Sequence, residues 1–173
     1  GFDVLLQRMR DCKNHSMGAP IAAAAETLLG MGQDERGSVL SFARRNTAFL
    51  DSPRMQAALE ESTFSLAELK TAPGGCTLYL CLPVKELANH GRWLRLVVML
   101  ALAEMERLGH GRPATGHPVL FLLDEFASLG YMRPVEVAAG YIAGYGVKLW
   151  PILQDLQQLQ GLYPKSWATF LGN

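Results

Sequence analysis

Two adjacent carboxylates, Asp124 and Glu125, directly follow a run of five apolar residues from Val119 to Leu123. We expect this run to be a buried strand, because short apolar segments bounded by turn residues are typical of parallel sheets. The carboxyl ends of parallel strands face the ligand crevice of a sheet, so both acids are expected there. Because adjacent strand residues point in opposite directions, the two carboxylates are predicted to have different tasks.

An acidic pair in this position suits the hydrolysis of a nucleoside triphosphate. Asp124 would hold Mg²⁺ directly or through water, and Glu125 would orient and deprotonate the water that attacks the γ-phosphate. Gln154 follows the next strand candidate, and its amide could sense the γ-phosphate or hold the attacking water. The alternative is structural, since any strand can end in solvated acids and Gln154 could cap a helix or remain an exposed amide.

A phosphate-binding loop is missing from the sequence. No GxxxxGK[ST] motif occurs among the 173 residues, and the glycine-rich stretches Gly30–Gly37 and Gly109–Gly116 do not have that spacing. Without backbone amides that cradle phosphates and a lysine for the β- and γ-phosphates, this chain alone is not expected to bind ATP tightly. Because the sequence also begins at Gly1, we interpret it as an internal piece of a longer protein, with the phosphate-binding loop upstream.

The residue pattern changes near Thr71–Gly75, and this change defines two predicted domains. Residues 1–70 contain alanine-rich and amphipathic stretches with prolines in first-turn positions, which predict short helices and no strand. In residues 71–173, three apolar runs alternate with helical patterns. This order of strands and helices is typical of a parallel sheet. The predicted fold class is therefore α/β, part of a parallel sheet with flanking helices, preceded by an all-helical subdomain.

The three predicted strands are Cys76–Pro83, Val119–Glu125 and Val147–Leu153. Pro151 weakens the third of them, since proline cannot donate a hydrogen bond to a ladder. Trp93 lies near the start of an apolar helix pattern and is flanked by two arginines, Arg92 and Arg95, which we expect to be structural anchors.

The composition excludes several functional classes. The 16 basic and 16 acidic residues balance, which argues against a strongly basic protein that coats DNA. The longest apolar run is too short to span a bilayer. Three cysteines without paired CxxC spacing predict neither a disulfide framework nor a zinc ribbon.

Residues 60–173 resemble the TraG family of type IV secretion and conjugation coupling proteins. The resemblance is most specific in "PVLFLLDEFASLG" and in the stretch that begins "YIAGYGVKLWPILQDLQQLQG". It implies a RecA-like ATPase that binds ATP and Mg²⁺, with residues 1–70 as an all-α domain inserted before the acidic strand. Carried over by position, Asp124 is the Mg²⁺-associated Walker B acid, Glu125 is the catalytic acid, and Gln154 is the glutamine that senses the γ-phosphate.

The same resemblance implies the partners and the location of the parent protein. It would be a homo-hexamer at the cytoplasmic face of the bacterial inner membrane, anchored by transmembrane helices outside this chain. Its cargo would be single-stranded DNA with its relaxase, or effector proteins, recruited through residues 1–70. Secretion-channel ATPases and inner-membrane components would be its other partners.

Two alternatives to the motor function stay open, and one expected residue is not assigned. The chain could be a nucleotide-independent module that binds cargo or an adaptor, or part of an FtsK-type DNA translocase. Ring ATPases of this type also use an arginine finger, but Lys148 is the only cation between Tyr141 and Gln154. Arg133 is a weak candidate, and a solvent-facing role is favoured for it.

Overall fold

A computed structural model describes residues 2–13 and 16–172. The chain forms two compact units, Gly1–Ala48 and Phe49–Asn173. The sequence-based boundary between residues 70 and 71 rests on the change in residue pattern, and it stays a prediction.

The regular structure described in the first unit is helical. Its helices are α1 (Phe2–Arg10), α2 (Gly18–Gly30) and α3 (Gln33–Thr47). Leu6 of α1 and Ala25 of α2 are buried, and an ion pair of 2.7 Å joins Arg10 to Glu26. Larger apolar side chains stay accessible, among them Phe42, which is 63% exposed. The prediction of helices in this part of the chain is therefore confirmed for the described residues.

The second unit combines helices with a parallel sheet, which confirms the predicted α/β class. Its helices are α4 (Pro53–Leu59), α5 (Glu68–Thr71), α6 (Leu87–Arg107), α7 (Arg133–Ala139), α8 (Leu156–Leu162) and α9 (Trp167–Leu171). Its strands are β1 (Val119–Leu123) and β2 (Val147–Pro151), and 3₁₀ turns occupy Val84–Glu86, Phe126–Leu129 and Ile142–Tyr145. Among the described residues, no helix is long and apolar enough to cross a bilayer.

The sheet pairs β1 with β2 in parallel, with Val119 opposite Val147 and Leu123 opposite Pro151. One face packs on the core, which includes residues of α6 and α7 such as Leu102 and Val135. The following apolar side chains of the other face are about half exposed: Leu120, Leu122 and Trp150. The expectation that β1 is buried throughout is therefore wrong for this face, because the described residues supply a helical layer to one side only.

Residues 76–83 do not form the predicted strand. Leu78, Leu80 and Leu82 are half-buried and alternate with exposed residues, of which Tyr79 is 81% exposed. This alternation with period two is typical of a strand. A strand also requires a paired ladder, and no backbone hydrogen bond joins residues 76–82 to other backbone groups in the described part of the chain.

Pro151 is compatible with the end of β2 because of the way a parallel ladder is built. The Ile152 N–H donates to the Leu123 carbonyl at 3.0 Å. In a parallel pair, alternate residues bond to the same neighbour, so the backbone nitrogen of residue 151 faces away from β1. The missing N–H therefore costs the pairing of β1 and β2 nothing.

Gly146 fixes the point at which β2 begins. Its φ of 73° lies in the left-handed region, and a Cβ atom built on it would come within 2.6 Å of the Gly111 carbonyl oxygen. Its own carbonyl accepts the Val119 N–H at 2.9 Å, which is the first bond of the ladder. Only glycine meets both the conformational and the steric requirement here.

We expect Gly146→Ala to lower the free energy of unfolding by roughly 2–3 kcal/mol, because it adds left-handed strain to a backbone clash. Gly161→Ala is the matched control, since Gly161 lies in α8 and an added methyl group there would meet nothing within 4 Å. That change should instead raise the free energy by about 0.5–1 kcal/mol through helix propensity. Urea unfolding of both variants measures the difference, and equal stabilities would contradict the role given to Gly146.

Candidate active site

The hydrogen-bond ladder continues past the end of β1, but it skips one residue. After the bond from Ile152 to Leu123, regular parallel pairing would have the Glu125 N–H donate to the Ile152 carbonyl. The Phe126 N–H makes that bond instead, at 3.0 Å. One extra residue is thus inserted opposite β2, as in a β-bulge, and such bulges commonly re-aim a side chain next to an active site.

The inserted residue, Glu125, has φ 50° and ψ 43°, which is the left-handed conformation. It is the only non-glycine residue with positive φ in the described ranges 2–13 and 16–172. Its N–H donates to the Asp124 Oδ1 at 3.1 Å, so the first acid helps to hold the backbone of the second. The strand ends at Leu123, so Asp124 and Glu125, the acid pair, are not strand residues. The expectation that strand geometry points their side chains in opposite directions therefore does not apply.

Gln154 lies at the same edge of the sheet as the acid pair, which is the carboxyl edge of β1 and β2. It comes three residues after Pro151, and its N–H donates to Gln158 Oε1 at 3.2 Å. Asp155 caps α8 by accepting the Gln158 N–H at 2.9 Å. The first turn of α8 thus fixes the Gln154 backbone. Gln154, Asp124 and Glu125 are all exposed.

The turn that follows the acid pair is anchored by aromatic packing. Phe126 is fully buried, and its ring stacks on Tyr163 with centroids 5.9 Å apart and an interplanar angle of 3°. Phe170 of α9 packs against both rings. Since Phe126 directly follows Glu125, this cluster holds the inserted residue from its C-terminal side.

Two side chains from distant elements hold the end of the same segment, residues 124–132, which we call the acidic loop. Arg95 donates to the carbonyls of Leu129 at 2.6 Å and of Tyr131 at 2.9 Å. The Met132 N–H donates to the Tyr163 hydroxyl at 3.1 Å. The expected anchoring role of Arg95 is confirmed, but its partners are backbone carbonyls more than thirty residues away, which no motif in the sequence indicates.

Residues 5–173 match the sequence profile of the family described as Type IV secretory system Conjugative DNA transfer. The chain belongs to this family. Conjugal transfer protein TraG of Escherichia coli is 30% identical over 155 residues, and Protein VirD4 of Agrobacterium fabrum is 34% identical over 122 residues. These alignments cover 87% and 70% of this chain, respectively. No solved structure is significantly similar to it.

The chain spans less than a quarter of the length of these relatives, 24% of that TraG and 18% of that VirD4. The match of residues 5–173 includes the acid pair and Gln154, which the structure places at one edge of the sheet. Their catalytic and ligand-binding roles stay predictions. The two cations considered as fingers, Lys148 on the open sheet face and Arg133 at the start of α7, are both exposed.

A cluster of side-chain hydrogen bonds links the acidic loop to α7 and to the start of α9. Glu136 accepts hydrogen bonds from the Ser166 hydroxyl and from the Tyr131 hydroxyl, the latter at 2.6 Å. Both bonds lower the pKa of the Glu136 carboxyl, and the bond from Ser166 has the larger effect. The bond from Tyr131 to Glu136 raises the pKa of Tyr131. Both shifts favour an ionised Glu136 that accepts from two neutral hydroxyls.

The stability contributed by Glu136 should depend on pH. Because its folded-state pKa lies below the ordinary value of 4.5, the contribution is present above pH 4.5 and is lost as the pH falls through the lowered pKa. We therefore expect Glu136→Gln to destabilise the protein at pH 7 and to do so progressively less below pH 4.5. Thermal unfolding of both proteins across this range measures the effect, and a difference that does not change with pH would contradict it.

The strain at Glu125 predicts an unusual order of stability. Glu125→Ala and Glu125→Gly both remove the carboxylate, but glycine adopts the left-handed conformation without a Cβ penalty, so the glycine variant should be more stable by about 1 kcal/mol. The same two changes at Gln157, an exposed residue within α8, should give the opposite order by a similar amount. Urea unfolding compares the four variants, and greater stability of the alanine variant at both positions would show that Glu125 is unstrained.

Proposed function

We propose that this chain is part of a coupling ATPase that uses ATP hydrolysis to deliver DNA–relaxase or effector protein cargo to a secretion channel. The bulge at Glu125 is the observation that carries the proposal. It holds two exposed carboxylates at the carboxyl edge of a parallel sheet, the same edge at which Gln154 follows β2. Left-handed backbone at a non-glycine residue costs on the order of 1–3 kcal/mol and is concentrated at functional sites.

The donor set at this edge fits Mg²⁺ bound together with a nucleotide. Carboxylate oxygens are the ligands that Mg²⁺ prefers, and it usually takes one or two from the protein and the rest from water and phosphates. Among the described residues, no group of three or more His, Cys, Asp or Glu side chains could hold a metal ion. The Glu125 N–H bonds to Oδ1 of Asp124, so a cation could bind at the other carboxylate oxygen, Oδ2, without breaking that bond.

The side chains of Asp124, Glu125 and Gln154 would each have a different role in hydrolysis. Bound Mg²⁺-ATP would supply the γ-phosphoryl group and a cation that offsets the phosphate charge. Asp124 would bind that cation directly or through water. Glu125 would orient the attacking water and accept its proton, and the Gln154 amide would hold the water or contact the γ-phosphate. ATP binding would also require a phosphate-binding loop, which the 173 residues do not contain.

The parent protein would act at the cytoplasmic face of the inner membrane as a homo-hexamer, with transmembrane helices outside this chain. Family membership and the conjugal transfer relatives support a place in the transfer machinery. Residues 1–70 would recruit single-stranded DNA with its relaxase, or effector proteins, and other surfaces would meet secretion-channel ATPases and inner-membrane components. A match to the conjugative transfer family favours this assignment over an FtsK-type translocase.

A second candidate function is a nucleotide-independent module that binds cargo or an adaptor. The exposed apolar side chains of the first unit favour it, notably Val4, Leu5 and Phe42, each more than half exposed. Apolar side chains of this kind are suited to a protein partner. If this function is correct, the acid pair is only the solvated end of β1.

Steady-state ATP turnover by the full-length protein separates these functions. Glu125→Gln removes the proposed base with little change in volume, and it should lower turnover roughly a hundredfold or more. Asp124→Asn should lower the rate and raise the Mg²⁺ concentration needed for half-maximal turnover, because an amide binds Mg²⁺ more weakly than a carboxylate. Stimulation of turnover by single-stranded DNA would support a conjugative cargo.

Glu61→Gln is the control, because Glu61 is an exposed acid outside the acidic loop and its variant should turn over ATP like the unmodified protein. Each variant must first show unchanged thermal unfolding apart from small shifts. Turnover that survives Glu125→Gln would refute the catalytic assignment and leave the binding module as the better account.

A further inference from the structure

Arg95 connects the middle of the sheet-packing helix α6 to the acidic loop. Its Nη1 and Nη2 atoms donate to two carbonyls that lie on either side of Gly130. Gly130 has φ 69°, and a Cβ atom there would come within 3.3 Å of Nη1. The guanidinium thus occupies a place that glycine leaves open, and its planar fork satisfies two carbonyls at once, which a lysine ammonium cannot reproduce with the same geometry.

The acidic loop is held at three points, and each point restrains Glu125. At its start, the Phe126 N–H is bonded to Ile152. At its end, Tyr163 accepts the Met132 N–H. Arg95 holds the part between them, where the 3₁₀ turn Phe126–Leu129 ends. A strained left-handed residue persists only when its surroundings over-determine the backbone, and the described residues show these three restraints.

We propose that Arg95 is a positioning residue for Glu125: by holding the acidic loop, it keeps the bulge that presents the proposed catalytic carboxylate. This inference rests on the proposed function, since it assigns Arg95 a part in the same hydrolysis. Arg95 contacts the loop backbone and not the reacting atoms. Its loss should therefore affect the catalytic rate more than the binding of ATP.

The first test compares Arg95→Lys with Arg107→Lys in the full-length protein. Both arginines lie on α6, but Arg107 is exposed, and among the described residues its side chain pairs with Glu104 on the same helix, so its conversion to lysine should leave turnover unchanged. Arg95→Lys should lower kcat by roughly ten- to a hundredfold with little change in KM for ATP, because small misplacements of catalytic groups cost rates of this order.

Two further variants separate positioning from plain stability. Gly130→Ala disturbs the same contact from the loop side and should reproduce the loss of kcat. Arg95→Ala should lose at least as much, and added guanidinium ion should restore part of the turnover. If Arg95 only stabilises the fold, Arg95→Ala would lower the melting temperature while the folded protein kept its kcat, and guanidinium would not rescue it. That result would overturn the inference.

Hydrogen–deuterium exchange gives a readout that does not depend on activity. In Arg95→Lys, the amides of residues 126–132 should exchange faster while those of α8 keep their protection. Unchanged exchange in the acidic loop would overturn the inference whatever the turnover. Turnover in the unmodified protein that does not depend on Glu125, or no turnover at all, would refute the proposed function and with it the catalytic part of this inference. Loss of turnover in Glu125→Gln but not in Arg95→Lys would refute the inference alone.

Discussion

The bond from the Phe126 N–H to the Ile152 carbonyl is the interaction on which the candidate site depends. It resumes the pairing of β1 and β2 after leaving out Glu125, and it forces that residue into the left-handed conformation. A regular ladder would have used the Glu125 N–H instead and continued the strand. The acid pair is therefore held by a defined interruption of the sheet, in which the carboxylate of one acid accepts the amide of the other.

The left-handed conformation of Glu125 is unfavourable by itself, and contacts within the second unit offset its free-energy cost. The ring of Phe126 is buried against Tyr163 and Phe170, which contributes packing directly beside the strained residue. Arg95 donates hydrogen bonds to two carbonyls at the end of the turn, which are not bonded within a helix or a strand. These contacts come from α6 and from the segments around α8 and α9, so the geometry of the acid pair depends on elements far apart in the sequence.

The elements that the sequence predicts well are those with strong local signals. The apolar runs before Asp124 and Gln154 are the two strands of the sheet, and the parallel arrangement puts their ends at one edge, as expected. The features that the sequence does not predict have a common cause, because each depends on hydrogen-bond partners distant in the sequence. Residues 76–83 have the alternation of a strand but no ladder, and the bulge and the Arg95 bonds arise from pairing across more than twenty residues. Local periodicity contains no information on such partners.

Under the proposed function, the exposure of the acid pair sets what this part of the chain would contribute to hydrolysis. Electrostatic stabilisation and proton transfer are most effective in a site from which water is excluded, yet both acids and Gln154 are exposed, and one face of the sheet is open. Under the proposed function, the described residues would orient the reacting groups while the site stays open to water on their side. If the proposed function is correct, water must be excluded by the nucleotide and by the surfaces that bind its phosphates. This agrees with the lack of a phosphate-binding motif in the 173 residues.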